Sequence, residues 1–384
     1  MEKYKKISSL YAPIFYTFLI SSLSFCGYPS VNILFYISMG CFFVHVIINS
    51  EKYNFPIEFI LLAIVLSYFS MTLLWSSYSN NFLKYIKYSI YIITFIYISS
   101  CLYKINSRLF LHCLLIASTL SSIIALWHIN NLSQISEIRL ASPYGPENVI
   151  DFAGYSGIGF LVGLYFTLNS NVKMAIFYAS IASISLAACI LTQSRGPILY
   201  VGICSLFLIR KKNIKSALTL AIVISIIILG LSVMHLFNPA DLVSRFSSIN
   251  TELNGTQGFR GAIWKFAILK SLTMPFFGHG ILTPLNYLTP QNIYFTTTHS
   301  TYIGVLYTGG IVGLILFIML CIKVFSLGIK FFKKDPLPMV LFIYALLHIS
   351  TQWRFLIMNS DAPWFIFWMP LALILSTVVM RGKA

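Results

Sequence analysis

Charge is what this chain has least of. Only 9% of its 384 residues are Asp, Glu, Lys or Arg, and ten of them are acidic, where a soluble domain carries roughly 25% charged residues. That scarcity excludes an ordinary soluble surface. With 58% hydrophobic residues, the composition is that of a polytopic membrane protein. Paired cysteines are missing too: Cys26, Cys41, Cys101, Cys113, Cys189, Cys204 and Cys321 lie in or beside apolar runs, with no CxxC and no Cys/His cluster. Neither a disulfide framework nor a zinc site is expected. A cleavable signal peptide is not expected, because the first apolar run follows MEKYKK and no small-residue cleavage pattern precedes the next run.

What is there is a series of apolar runs, each near the 20 or so residues that cross a bilayer core. Twelve can be read, at 9–27, 31–49, 56–75, 86–103, 109–128, 149–168, 173–191, 196–209, 216–236, 301–322, 337–353 and 362–380. The eighth is short for a span. The expected fold is all-α: a single integral membrane domain over residues 1–384 with about twelve transmembrane helices.

Orientation follows from Lys and Arg, which concentrate in short cytoplasmic loops. With the N-terminus inside, 17 of the 26 basic residues fall on the cytoplasmic side, among them Lys3, Lys5, Lys6, the RKK of 210–212 and Lys215. Deleting the short eighth span would send RKKNIK outside. The net charge of +16 is therefore mainly a topology signal, and its dispersal over short loops disfavours nucleic acid as a partner. Both termini are expected to be cytoplasmic. The segment 237–300 is the one outer loop large enough to form a small unit, and loops of that length are usually functional or disordered. Asn238-Pro has the form of a helix start, FRGAIWKFAILKSL (259–272) has helical apolar spacing ending before Pro275, and the glycines of Phe277-Gly-His-Gly allow a tight turn. Two short helices are expected in this loop.

The candidate chemistry collects on the outer face. Arg139, Arg195 in LTQSRGPILY, and Arg260 in GFRGAIW oppose the usual charge bias, and a guanidinium fork suits phosphate oxygens. Each alone could equally be an interfacial arginine reaching for headgroups of membrane lipids. His45, His112, His128 and His348 lie in or at the ends of apolar runs, where a packed imidazole is the expectation. His299 differs: it ends the threonine run of FTTTHS at the mouth of an apolar span, where a neutral imidazole can take a proton. The outer carboxylates Glu137, Glu147, Asp151, Asp241, Glu252 and Asp361 form no DxD motif and no spaced pair, which disfavours a metal–diphosphate site or a two-carboxylate hydrolase. A pair assembled by the fold is left open.

The order TQSRG, then R-G-A-x-W in a long outer loop, then P-x-x-G-x-G, then H-S-T-Y before YTGGIVGL resembles the O-antigen ligase and polymerase superfamily, most specifically over residues 190–315. The resemblance implies a Gram-negative inner-membrane glycosyltransferase with a periplasmic active site, needing no metal or cofactor. Its donor would be undecaprenyl diphosphate-linked O-antigen, and its acceptor the lipid A core oligosaccharide. Arg195 and Arg260, with Arg139 as a weaker transfer, would hold the donor diphosphate, and His299 would act on the acceptor hydroxyl. Many relatives have asparagine after the histidine, where this chain has Ser300.

Two alternatives stand beside the ligase. A polymerase would extend the glycan on its lipid carrier, and a flippase or transporter would carry out no chemistry but show ionisable residues or broken helices deep in its spans. Topology is testable at once: reporter fusions after Lys215 and near Thr256 are expected to report opposite sides of the membrane, and one side for both overturns the twelve-span reading.

Overall fold

The computed structural model describes residues 11–25, 29–48, 55–77, 81–128, 139–146, 148–209, 260–289, 292–352 and 357–379, with scattered positions between 217 and 247. The chain is helical nearly throughout these residues. In order come α1 (Ala12–Ser24), α2 (Pro29–Ile48), α3 (Ile57–Met71) with a 3-10 extension Thr72–Trp75, α4 (Phe82–Ile105), α5 (Ser107–Trp127), α6 (Val149–Leu168), α7 (Val172–Leu191) and α8 (Arg195–Leu208). After them lie α9 (Arg260–Ser271), a hairpin of β1 (Tyr287–Leu288) and β2 (Tyr294–Phe295), α10 (Thr301–Phe332), α11 (Leu337–Ile349), a π-helical turn Trp364–Trp368 and α12 (Met369–Leu375). Sequence punctuation sets several of these ends. The side chains of Asn106, Asn148 and Asn171 accept from the backbone N–H groups of Leu109, Ile150 and Met174, satisfying donors that a first helical turn leaves over.

Among the described residues, seven helices are long and apolar enough to cross a membrane: 30–48, 57–75, 82–105, 107–127, 149–168, 172–191 and 301–332. Four more of the expected spans appear as shorter apolar helices, Ala12–Ser24, Arg195–Leu208, Leu337–Ile349 and Trp364–Leu375. Most of 216–236 lies outside the described residues, as does the helix start expected at Asn238-Pro. The hairpin is a departure from an all-α reading. Its antiparallel pairs Tyr287↔Phe295 and Leu288↔Tyr294 form because Tyr287 packs its ring 4.9 Å from that of Phe266 on α9, which holds the strand against a helix.

Helix α6 lies at the centre, buried along almost its whole length and packed on α5, α7, α8 and α11. The two ends of the bundle are tied separately. At one end Tyr103 Oη donates to Asp335 Oδ2 at 2.9 Å and Lys323 sits 3.5 Å from Glu58. At the other, Thr301 Oγ1 donates to the Gln352 carbonyl at 3.1 Å.

Helix α10 is broken at Gly310, whose φ of 63° and ψ of −165° are not helical. The turn at 275–280 fills the gap. Ile311 N–H donates to the Pro275 carbonyl at 2.8 Å and Val312 N–H to that of Phe276 at 3.2 Å. In return, His279 and Gly280 donate to the carbonyls of Tyr307 and Thr308, both at 2.9 Å. The glycines make the approach possible: a Cβ on Gly310 would lie 2.3 Å from the Phe276 carbonyl oxygen, and one on Gly278 only 2.4 Å from Gly310 N. From the other side, Trp75 Nε1 donates to the Gly278 carbonyl at 3.1 Å, and Tyr68 Oη to that of Gly309 at 2.5 Å. Thus P-x-x-G-x-G and YTGGIVGL are two halves of one joint. Below it, residues 311–332 still rise about 33 Å, enough for a bilayer core.

Gly310→Ala is therefore expected to lower the melting temperature of the detergent-solubilised protein clearly, because a strained φ alone costs about 1–3 kcal/mol and the new methyl meets a backbone carbonyl. Gly202→Ala in α8, where a Cβ meets nothing within 4 Å, is expected to leave it unchanged or slightly raised.

Candidate functional site

The TQSRG motif forms the turn between α7 and α8. Its shape is set by Gln193, which has a left-handed φ of 53°, a conformation that costs a non-glycine side chain energy. Thr192 Oγ1 accepts from Ser194 N at 3.1 Å, and Arg139 clamps the turn from outside: its Nε donates to the Thr192 carbonyl at 2.9 Å and its Nη2 to Ser194 Oγ at 2.7 Å. Leu140 N adds a bond to the Leu191 carbonyl at 3.1 Å. The structure thus places Arg139 beside the arginine turn, with part of its fork spent on holding that turn in place. Arg195 is the first residue of α8 and is half-buried, so a group bound to it also meets the positive end of a helix dipole.

The second element is α9. Arg260 and Trp264 stand four residues apart, hence on one face of the helix, while Ile263, Ala267 and Ser271 are buried. Ile263 and Ala267 form a small apolar cluster with Leu285 and Tyr307, which seats α9 against α10 just above the break. Trp264 Nε1 reaches from this helix to the Thr298 carbonyl at 3.0 Å. The loop carrying His299 is therefore fixed by the helix carrying Arg260.

His299 has a φ of 48°, a second left-handed non-glycine residue. Thr298 and Ser300 on either side are buried, and Thr298 Oγ1 donates to the Ser300 carbonyl at 2.7 Å. The ring is half-buried, with Phe295 edge-on at 5.9 Å. Burial, and secondarily the nearby Arg260 guanidinium, lower the His299 pKa below its ordinary 6.5. Both causes disfavour the imidazolium. At neutral pH the ring is neutral and able to accept a proton.

The two halves meet through the end of α11. Tyr200, on α8 five residues beyond Arg195, has its hydroxyl 3.1 Å from Thr351 Oγ1. The next residue, Gln352, accepts from Thr301, two residues beyond His299. So Arg195 and His299 flank the same short turn, although they are a hundred residues apart in sequence.

The other histidines behave mostly as expected. His112 Nε2 is 2.8 Å from Tyr178 Oη with its ring stacked on Phe166. His279 stacks on Tyr307, with Nε2 3.0 Å from the Lys270 carbonyl. His348 is fully buried, and its Nε2 lies 3.8 Å from Asp151 Oδ1: two residues that sequence spacing could not pair, brought together between α6 and α11. Trp264, Thr301 and Gln352 are positioning elements that residue-by-residue reading did not single out. Trp264 and Thr301 had a signal, their places in R-G-A-x-W and H-S-T-Y, while Gln352 had none.

Residues 180–318 match the family described as O-antigen ligase. The chain is also 24% identical over 198 residues to the O-antigen ligase of Pseudomonas aeruginosa, an alignment covering 51% of this chain and 46% of that relative. The chain thus matches about half the length of the relative. The matched family segment contains Arg195, Arg260, His299 and both halves of the glycine joint, on a chain whose described residues include seven helices long and apolar enough to cross a membrane. The segment that carries these residues is thus similar to the O-antigen ligase family.

Proposed function

We propose that this protein is an O-antigen ligase, transferring O-antigen polysaccharide from undecaprenyl diphosphate to the lipid A core oligosaccharide at the periplasmic face of the inner membrane. The observation that carries the proposal is the bond from Trp264 Nε1 to the Thr298 carbonyl at 3.0 Å, which holds the helix of Arg260 against the loop of His299, in a family segment that also carries Arg195. In the reaction the acceptor hydroxyl oxygen forms a bond to the anomeric carbon of the donor sugar. The bond from that carbon to the diphosphate oxygen breaks, its electron pair leaves with undecaprenyl diphosphate, and the hydroxyl proton passes to His299. Arg195 and Arg260 stabilise the anionic charge that grows on the diphosphate. Attack opposite the leaving group inverts the anomeric configuration. Arg139 supports this by holding the Arg195 turn.

A polymerase shares this donor and this chemistry, and differs only in the acceptor. For a transporter, the break in α10 is the relevant feature, since broken helices commonly form transport sites. Here the N–H groups of Ile311 and Val312 and the carbonyls of Tyr307 and Thr308 are already bonded to the 275–280 turn, which favours a structural joint.

Expression in a ligase-deficient strain is expected to restore O-antigen ladders on the lipid A core; no ladder there, together with restored chain length in a polymerase-deficient strain, would instead indicate the polymerase. In the same assay, Arg195→Lys and Arg260→Lys keep the charge but lose the planar fork, and both should lose most ladder formation while inserting normally. Full activity in both would return them to interfacial anchors.

His299→Gln is expected to lose about 10²- to 10⁴-fold in rate, with donor binding retained. For the wild type, the rate should be flat through neutral pH and fall only below pH 6.5, because the base form persists to a depressed pKa. Arg260→Gln removes one cause of that depression, so its residual activity should show the acid limb moved to higher pH. An unmoved limb would remove Arg260 from the electrostatics of His299.

A further inference from the structure

Gln352 is 4% exposed, and its Oε1 has no hydrogen-bond partner among the described residues. Buried amide oxygens are nearly always bonded, and an unbonded one in a native protein calls for a ligand or a special role. Its backbone is not at fault. The Gln352 carbonyl accepts from Thr301 Oγ1 at 3.1 Å, and the preceding Thr351 meets Tyr200 Oη at 3.1 Å. These two bonds pin residues 351–352 between the start of α8, which carries Arg195, and the start of α10, which follows His299. An apolar side chain at this seam would close it without leaving a polar atom unpaired. The chain instead puts an amide at this seam between the helices that carry or follow the two candidate groups.

The position fits one ligand chemistry. A diphosphate would be drawn to the guanidinium groups rather than to an amide oxygen, which can only accept. A hydroxyl donates, and a saccharide presents several of them around its anomeric carbon. We propose that Gln352 contacts the bound saccharide, its Oε1 accepting a hydrogen bond from a sugar hydroxyl and fixing the orientation of that ring between Arg195 and His299. The hydroxyl belongs either to the donor sugar next to the diphosphate or to the core sugar that receives it. The inference rests on the ligase reading for the identity of the saccharide, though not for its chemical class.

Gln352→Met keeps length and removes the amide, and Gln352→Leu does the same with a shorter side chain. Because the amide oxygen is unpaired, both variants are expected to melt no lower than the wild type in detergent. Purified protein is assayed with lipid-linked O-antigen and with lipid A core acceptor, each varied in turn. The expected result is a KM raised about tenfold for one substrate with the other unchanged: donor KM if the contact is to the donor sugar, acceptor KM if it is to the core sugar. A second measurement needs no turnover. Lipid-linked O-antigen or core oligosaccharide, added singly, should raise the wild-type melting temperature, and the same addition should have little effect on Gln352→Met. If the wild type transfers nothing yet shows this difference, the ligase reading fails and the saccharide contact stands. The contact is overturned if the saccharides stabilise Gln352→Met as they do the wild type, if they stabilise neither, or if both variants melt lower with both KM values unchanged.

Discussion

The arrangement depends on an exchange of backbone hydrogen bonds at the break in α10. A helix interrupted where lipid surrounds it leaves N–H and C=O groups with no water to turn to, and each such group costs several kcal/mol. Here the turn at 275–280 supplies the missing donors and acceptors, two in each direction. That turn is consequently fixed in height and angle against α10, and so is what it connects: α9 on one side, and on the other the hairpin and the threonine run ending in His299. Only glycine allows the two backbones to meet, at Gly278 and Gly310. The segment from α9 to His299 is thereby held rigidly against α10.

A second constraint is local strain. Gln193 and His299 both hold left-handed backbone conformations, and each lies two residues before the start of a helix, α8 or α10. In both places neighbouring bonds stabilise the strained turn: Arg139 and Thr192 around Gln193, Trp264 and Thr298 around His299. Strain of about 1–3 kcal/mol at such a residue persists only where its surroundings over-determine it. The consequence is a functional group whose direction is set before a substrate arrives, which is what stabilising a developing charge requires.

Burial supplies the remaining tuning. A histidine standing freely in water at the membrane surface would be partly protonated near neutrality. Half-burial against Phe295 and the proximity of Arg260 keep it neutral instead. The same arginine that is proposed to receive the leaving diphosphate therefore also conditions the base, so the two roles are not independent.

The sequence by itself determined the membrane class, because scarce charge and long apolar runs leave a chain no other solvent. It also located most of the described helices, the loop helix at 260–271 and the glycine turn, since each is written in contiguous residues whose spacing or conformational freedom acts locally. It marked Arg195, Arg260 and His299 through the order of their motifs. Tertiary structure decided the rest. That α10 breaks at Gly310 depends on a partner turn thirty residues earlier in the chain; that Arg139 braces the arginine turn, that Asp151 faces His348, and that the Gln352 carbonyl meets Thr301 depend on which helix ends meet. Those meetings are fixed by how the helices of the whole bundle pack, which no local pattern of residues records.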